Sequence, residues 1–149
     1  MYGKTYRGQF QPKNPKKYRG RVDMITYRSR WELKFMAWAD THSSVLQWSS
    51  EEIVIPYLSP VDGKWHRYFP DFVITRKRKS GQIETVLIEV KPLAQTTEPV
   101  RKKAINKSYI REVFTWGVNC AKWDAARKYC EKKNWKFQIL TEKELNITW

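Results

Sequence analysis

The stretch Glu84–Lys91, ETVLIEVK, constrains this chain more than any other. It has strand-forming composition with no glycine or proline. In a strand, side chains two apart share a face, so Glu89 and Lys91 project together while Ile88 and Val90 pack the other way. An acid is thereby held inside an apolar run. The same situation recurs upstream, where Asp71 follows Pro70 and precedes the apolar Phe72-Val73-Ile74. Burying a carboxylate costs several kcal/mol unless something neutralises it. Two carboxylates converging beside an ammonium have two such neutralisers, the lysine and a divalent cation.

Oxygen-only ligands suit a hard ion such as Mg²⁺ or Mn²⁺. Such an ion activates water and offsets the charge that builds on a phosphodiester. A lysine beside it orients the water or stabilises the same charge. Asp71, Glu89 and Lys91 therefore suffice, as residue types, for hydrolysing a nucleic-acid backbone. An ordinary alternative stands next to this one: a strand ending in Glu-Val-Lys also makes an exposed cross-strand ion pair.

The charge balance agrees with a polyanionic partner. Lys and Arg number 29 against 15 Asp and Glu, for a net charge of +14 and a pI near 9.9. A hydrophobic content of 41%, with 15% aromatic, excludes a disordered basic tail. The 149 residues fit one domain that folds without disulfide or structural metal. No apolar run approaches the roughly 20 residues of a membrane span, and no basic-then-apolar leader opens the chain. A soluble, cytoplasmic protein without membrane partners is expected. Cys120 and Cys130 lack CxxC or Cys/His company, which argues against a zinc site and a disulfide scaffold.

Residues 1–22 carry basic side chains and no acid, broken by Gly3, Gly8, Gly20, Pro12 and Pro15. They are expected as a basic N-terminal arm, and 23–149 as a single domain. Ser29 with Glu32 fits a capping box, and Trp31, Phe35, Trp38 and Ala39 make an apolar stripe, predicting a helix over 29–40. Strands are predicted over 52–57, 65–75 (interrupted by Pro70) and 84–91, with Asp62-Gly63 as a hairpin signal. Two helices over 100–113 and 118–133, parted near Gly117, precede a strand over 135–140 and a helical turn from Thr141. The resulting α-β-β-β-α-β order predicts an α/β fold, a mixed sheet flanked by helices.

Pro70-Asp71 followed by Glu89-x-Lys91, with a helical Glu32 upstream, resembles the PD-(D/E)XK nuclease signature. Four blocks in order, Tyr27–Glu32, Trp48–Glu52, Arg67–Phe72 and Ile88–Pro92, resemble the head completion nucleases of contractile-tailed bacteriophages, and are similar to the endonuclease subunit of cut-and-paste transposases. The resemblance implies a restriction-endonuclease-like core. It implies Asp71 and Glu89 as metal-binding carboxylates, Lys91 as the lysine serving the nucleophilic water, and Glu32 as an acid that assists the metal. It also implies Mg²⁺, with Mn²⁺ substituting, DNA as substrate, a part in head maturation and head–tail joining with head or neck proteins as partners, and pairing of two copies as a homodimer. The rivals are a non-catalytic DNA-binding or head assembly protein on a nuclease fold, and a transposase or restriction-type endonuclease.

The remaining candidates have plain structural readings. His66 is expected on a strand surface and His42 in the turn after the first helix. Lys102, Lys103, Lys107, Arg111 and Arg76–Lys79 either track phosphate or form solvated faces. Trp65 and Trp149 are candidates for stacking on bases.

Overall fold

The computed structural model describes residues 7–101 and 103–148. In chain order the elements are β1 (Gly8–Gln9), β2 (Thr26–Tyr27), α1 (Arg30–Thr41), β3 (Val45–Ser50), β4 (Ile55–Leu58), β5 (Trp65–Tyr68), β6 (Phe72–Lys77), β7 (Ile83–Val90), α2 (Lys107–Lys133), β8 (Lys136–Leu140) and α3 (Glu142–Thr148). The main sheet has the order β3-β6-β7-β8. Its first three strands are antiparallel, and β8 joins β7 in parallel after the crossover through α2. The sheet is therefore mixed, with α1 on one face and α2 on the other. Its core order, α1-β3-β6-β7-α2-β8, is the α-β-β-β-α-β order anticipated from the sequence.

Strand parity sorts the core into two halves. Val86, Ile88 and Val90 of β7, with Phe72 and Ile74 of β6, pack on Phe35, Met36 and Ala39 of α1 and on Trp48. The Phe35 and Phe72 rings stack with centroids 4.3 Å apart. Full burial of each such large side chain contributes about 1.5–3 kcal/mol. Leu87 and Val73, of the opposite parity, face Ala126 and Cys130 of α2 together with Ile55, Tyr57 and Tyr68 of the β4–β5 hairpin. Cys120 and Cys130 are both free thiols.

Helix α1 begins where its cap demands. The Ser29 hydroxyl accepts from the Glu32 N–H at 3.1 Å, satisfying one of the orphan donors of the first turn.

Four expectations need correction. The strand placed at 52–57 lies instead at Ile55–Leu58, in a separate two-stranded hairpin. The first strand of the main sheet is β3, a segment of mixed VLQWSS composition that no alternation marks. The loop of that hairpin spans 59–64, longer than a two-residue turn, with Gly63 at φ +67. The two helices over 100–133 are one, α2, which starts at the Asn106 cap and runs through Gly117. A lone helical glycine costs only about 1 kcal/mol relative to alanine, too little to break so long a helix.

The lead-in is not a loose arm over its described part. Tyr18 is 5% exposed and its ring meets Trp48 edge-on at 4.8 Å. Its hydroxyl donates to Glu52 Oε2 at 2.7 Å and accepts from the Ser50 N–H at 3.1 Å. The buried Asp40 carboxylate takes the Lys13 and Asn14 N–H groups at 2.8 and 3.1 Å. Aromatic burial and backbone capture outweigh the mobility that glycine, proline and like charge suggest. Lys4, Lys102 and Trp149 lie outside the described residues.

Candidate active site

The β5–β6 junction and the end of β7 build the site. Pro70 has no N–H to give a ladder, and the chain passes there from the hairpin into the main sheet. Asp71 therefore stands just before β6, opposite the end of β7, and its Oδ2 accepts from the Val90 N–H at 2.8 Å. Asp71 Oδ1 has no hydrogen-bond partner among the described residues. Glu89 is 5% exposed, with the parity of Leu87 and away from α1. Its Oε1 accepts from the Tyr68 hydroxyl at 2.7 Å, and its Oε2 lies 3.6 Å from Lys91 Nζ. The sequence thus predicts correctly that Glu89 and Lys91 share a face, and the fold adds Asp71 to them.

The electrostatics are those of crowded, desolvated acids. Burial pushes the Asp71 carboxyl well above the usual carboxylate range, and the neighbouring Glu89 charge pushes the same way, against the Val90 N–H. Burial also raises Glu89, in spite of Lys91 and the Tyr68 hydrogen bond. Tyr68 is held protonated by burial and by the Glu89 charge. A cation bound among these oxygens relieves the cost of keeping them ionised.

Glu32 is near, its charge acting on Asp71 and the Glu89 charge acting on it. Its Oε1 accepts from the Arg28 N–H at 3.0 Å, a capping bond at the start of α1. Burial raises its pKa, and the charges of Glu51 and Glu89 add to that. Among the described residues, no three His, Cys, Asp or Glu side chains converge closely enough to hold one ion. The donor set that fits a hard ion is thus the Asp71–Glu89 pair, with the rest of the shell left to water and substrate. This suits Mg²⁺, which usually takes one or two carboxylates.

Three further residues surround the site that the sequence does not single out as candidates, although Glu51 and Tyr68 lie within the blocks Trp48–Glu52 and Arg67–Phe72 that carry the family resemblance. Tyr68 orients Glu89. Glu51 adopts φ +53, rare for a residue with a side chain, where its N–H donates to the Asp71 carbonyl at 3.1 Å and its carboxylate pairs with Arg28. Lys122 of α2 lies over the Tyr57 and Tyr68 rings, 5.7 and 5.6 Å from their centroids. Burial and the Lys91 charge lower its pKa, while Glu89 and Asp71 pull it back up. Aromatic residues at 57 and 68 are visible in the sequence, but nothing local says that a lysine 31 positions beyond Lys91 returns to them.

The other candidates fall outside this cluster. His66 Nε2 pairs with Asp62 Oδ2 at 2.7 Å in the hairpin, and His42 ends α1, its Nδ1 2.7 Å from the Ser44 hydroxyl. Arg76 and Arg78 hold Glu84 at 2.7 and 3.6 Å. Lys103 precedes α2, Lys107 and Arg111 lie in its exposed first turns, and Trp65 is exposed. No helix among the described residues is long and apolar enough to cross a membrane.

Two comparisons bear on this geometry. Residues 42–142 match the family model of the TnsA-like endonuclease N-terminal domain. The chain is also 44% identical over 142 residues to the head completion nuclease of Enterobacteria phage T4, covering 93% of this chain and 92% of that one.

Proposed function

Since this chain belongs to the TnsA-like endonuclease N-terminal family, we propose that it is a metal-dependent DNA nuclease, a phosphodiester hydrolase acting in phage head completion and head–tail joining. Its T4 relative is a head completion nuclease. The reading is carried by one arrangement: the Asp71 carboxylate at the entry to β6, bonded to the Val90 N–H, beside the buried Glu89 near the end of β7, with an ammonium 3.6 Å from Glu89.

Asp71 and Glu89 would hold Mg²⁺, for which Mn²⁺ can substitute, and Glu32 would act on it through water. The bound ion supplies an acidified water and offsets charge on the phosphate. The protein's own groups do the positioning. The Val90 N–H fixes the Asp71 carboxylate, and the Tyr68 hydroxyl fixes that of Glu89. Lys91, held against Glu89, reaches the attacking water or a phosphate oxygen and opposes the negative charge that grows there. The +14 balance draws the DNA backbone toward a site that is itself acidic.

The test is nicking of supercoiled plasmid in Mg²⁺. Asp71→Ala and Lys91→Ala each abolish cleavage while far-UV circular dichroism and thermal melting stay native, and EDTA stops the wild type. Normal rates in both variants would remove the assignment. Absence of Mn²⁺ binding by calorimetry, with or without DNA, would favour a non-catalytic DNA-binding role.

A further inference from the structure

We propose that the groove between the 94–99 segment and α2 seats one unpaired base of the substrate strand, while Lys122 holds an adjoining phosphate. This rests on the DNA nuclease reading above and gives it a substrate class: DNA with a single-stranded end or flap.

The first observation is a face of α2. Ser108, Arg111, Thr115, Asn119 and Lys122 recur at three- and four-residue steps, so they form one stripe along the helix. Its C-terminal end is Lys122, lying over Tyr68, whose hydroxyl is bonded to Glu89. Its N-terminal part forms one wall of a groove of about 470 Å³. The opposite wall is the segment that follows Lys91 out of β7, so both walls lead back to the candidate active site. A volume of that size falls within the roughly 300–1,000 Å³ of small-molecule sites.

The second observation is Asn119. Its residue is 5% exposed, it lines the groove, and its side chain has no hydrogen-bond partner among the described residues. Its amide is held at the groove wall, with its donors and acceptor open to whatever occupies the groove. An amide both donates and accepts, which matches the edge of a base.

The lining decides between base and backbone. Gln95, Pro99, Thr115 and Trp116 surround Asn119, and Arg111 is the one lysine or arginine among the described residues that line the groove. A phosphate track needs net positive charge; this groove offers an aromatic ring, apolar walls and an amide. The net positive charge comes at the other end. Lys122 makes no ion pair within 4 Å among the described residues and only feels the Glu89 and Asp71 charges from further off, so its half-buried ammonium is open to a phosphate.

The experiment is equilibrium binding by fluorescence anisotropy in EDTA, where no cleavage can occur. The probes are a labelled blunt duplex and the same duplex with a four-nucleotide extension, 3′ or 5′. At least one extension should tighten binding by about tenfold, since base stacking contributes roughly 1–3 kcal/mol. Asn119→Leu, close in size, and Trp116→Ala should erase that difference and leave blunt-duplex binding unchanged. Lys122→Gln should weaken every probe. Because Trp116 packs edge-on against Trp123 at 6.0 Å, its variant is read only with a native melt; Asn119→Leu decides if it melts early. Equal wild-type affinity for blunt and extended DNA, or an Asn119→Leu protein that keeps the preference, overturns the proposal. Failure of the nuclease reading would show separately, as intact plasmid in Mg²⁺ with wild-type protein.

Discussion

Tyr68 donates its hydroxyl to Glu89 Oε1 over 2.7 Å, and both groups are buried. The bond ties the β4–β5 hairpin to the end of β7 and leaves Oε2 as the Glu89 oxygen that the proposed cation would take. Groups that orient metal ligands typically contribute 10–100-fold to affinity or activity. Tyr68→Phe should therefore lower plasmid nicking by about that factor at limiting Mg²⁺, with partial recovery at high Mg²⁺. A Mg²⁺ titration of the initial rate reads this; an unchanged midpoint would show that Tyr68 does not orient the ligand.

Asp40 predicts the cost of releasing the lead-in. Its carboxylate, 1% exposed, is the acceptor for the Lys13 and Asn14 N–H groups, and the Asn14 amide returns a bond to the Asp40 carbonyl at 2.9 Å. Asp40→Ala leaves those donors unmet, at about 1–3 kcal/mol for each group that water cannot reach. Urea denaturation should show a loss of that order. Native-state hydrogen exchange should speed up at Lys13 and Asn14 before it does in β7.

Glu84 predicts acid sensitivity. Lys136 at 2.9 Å and Arg76 at 2.7 Å hold its carboxyl below the usual carboxylate range. The unfolded chain then binds a proton that the folded one refuses, so this stabilisation is present at neutral pH and is lost as pH falls through the folded pKa. Urea melts between pH 7 and pH 3 should show a shallower acid-side decline for Glu84→Gln than for wild type. Parallel declines would exclude this carboxylate as a source of the slope.

Gly117 predicts a gain. It lies inside α2, and a Cβ built there meets only Pro60 Cγ at 3.6 Å, an ordinary contact. Gly117→Ala should raise stability by about 0.5–1 kcal/mol by restricting the unfolded chain. A lower melting temperature would mean that this part of the helix needs the glycine for another reason.

Some of this was legible locally. Ser29 and Glu32 are three residues apart, and one turn of helix brings them together whatever the rest of the chain does. Glu89 and Lys91 share a face because strand parity requires it. Gly63 turns the hairpin because its backbone takes a conformation that side chains rarely allow. Other features had no such mark. The VLQWSS of β3 alternates too poorly to read as a strand; it becomes one by pairing with β6 and burying Trp48. The basic 7–22 stretch reads as an arm until Asp40 and Trp48 receive it.

The sequence by itself determined the neighbour relations: the capped first helix, the acid and lysine on one face of a strand, the acid placed after a proline, and the basic balance that seeks a polyanion. Only the tertiary structure decided that Asp71 meets the end of β7, that the Tyr68 hydroxyl reaches Glu89, that the Glu51 N–H meets the Asp71 carbonyl, and that Lys122 lies over the Tyr68 ring. The reason is physical. Periodicity and capping act over a few residues and leave a local trace, whereas desolvation and charge act across whatever the fold brings together.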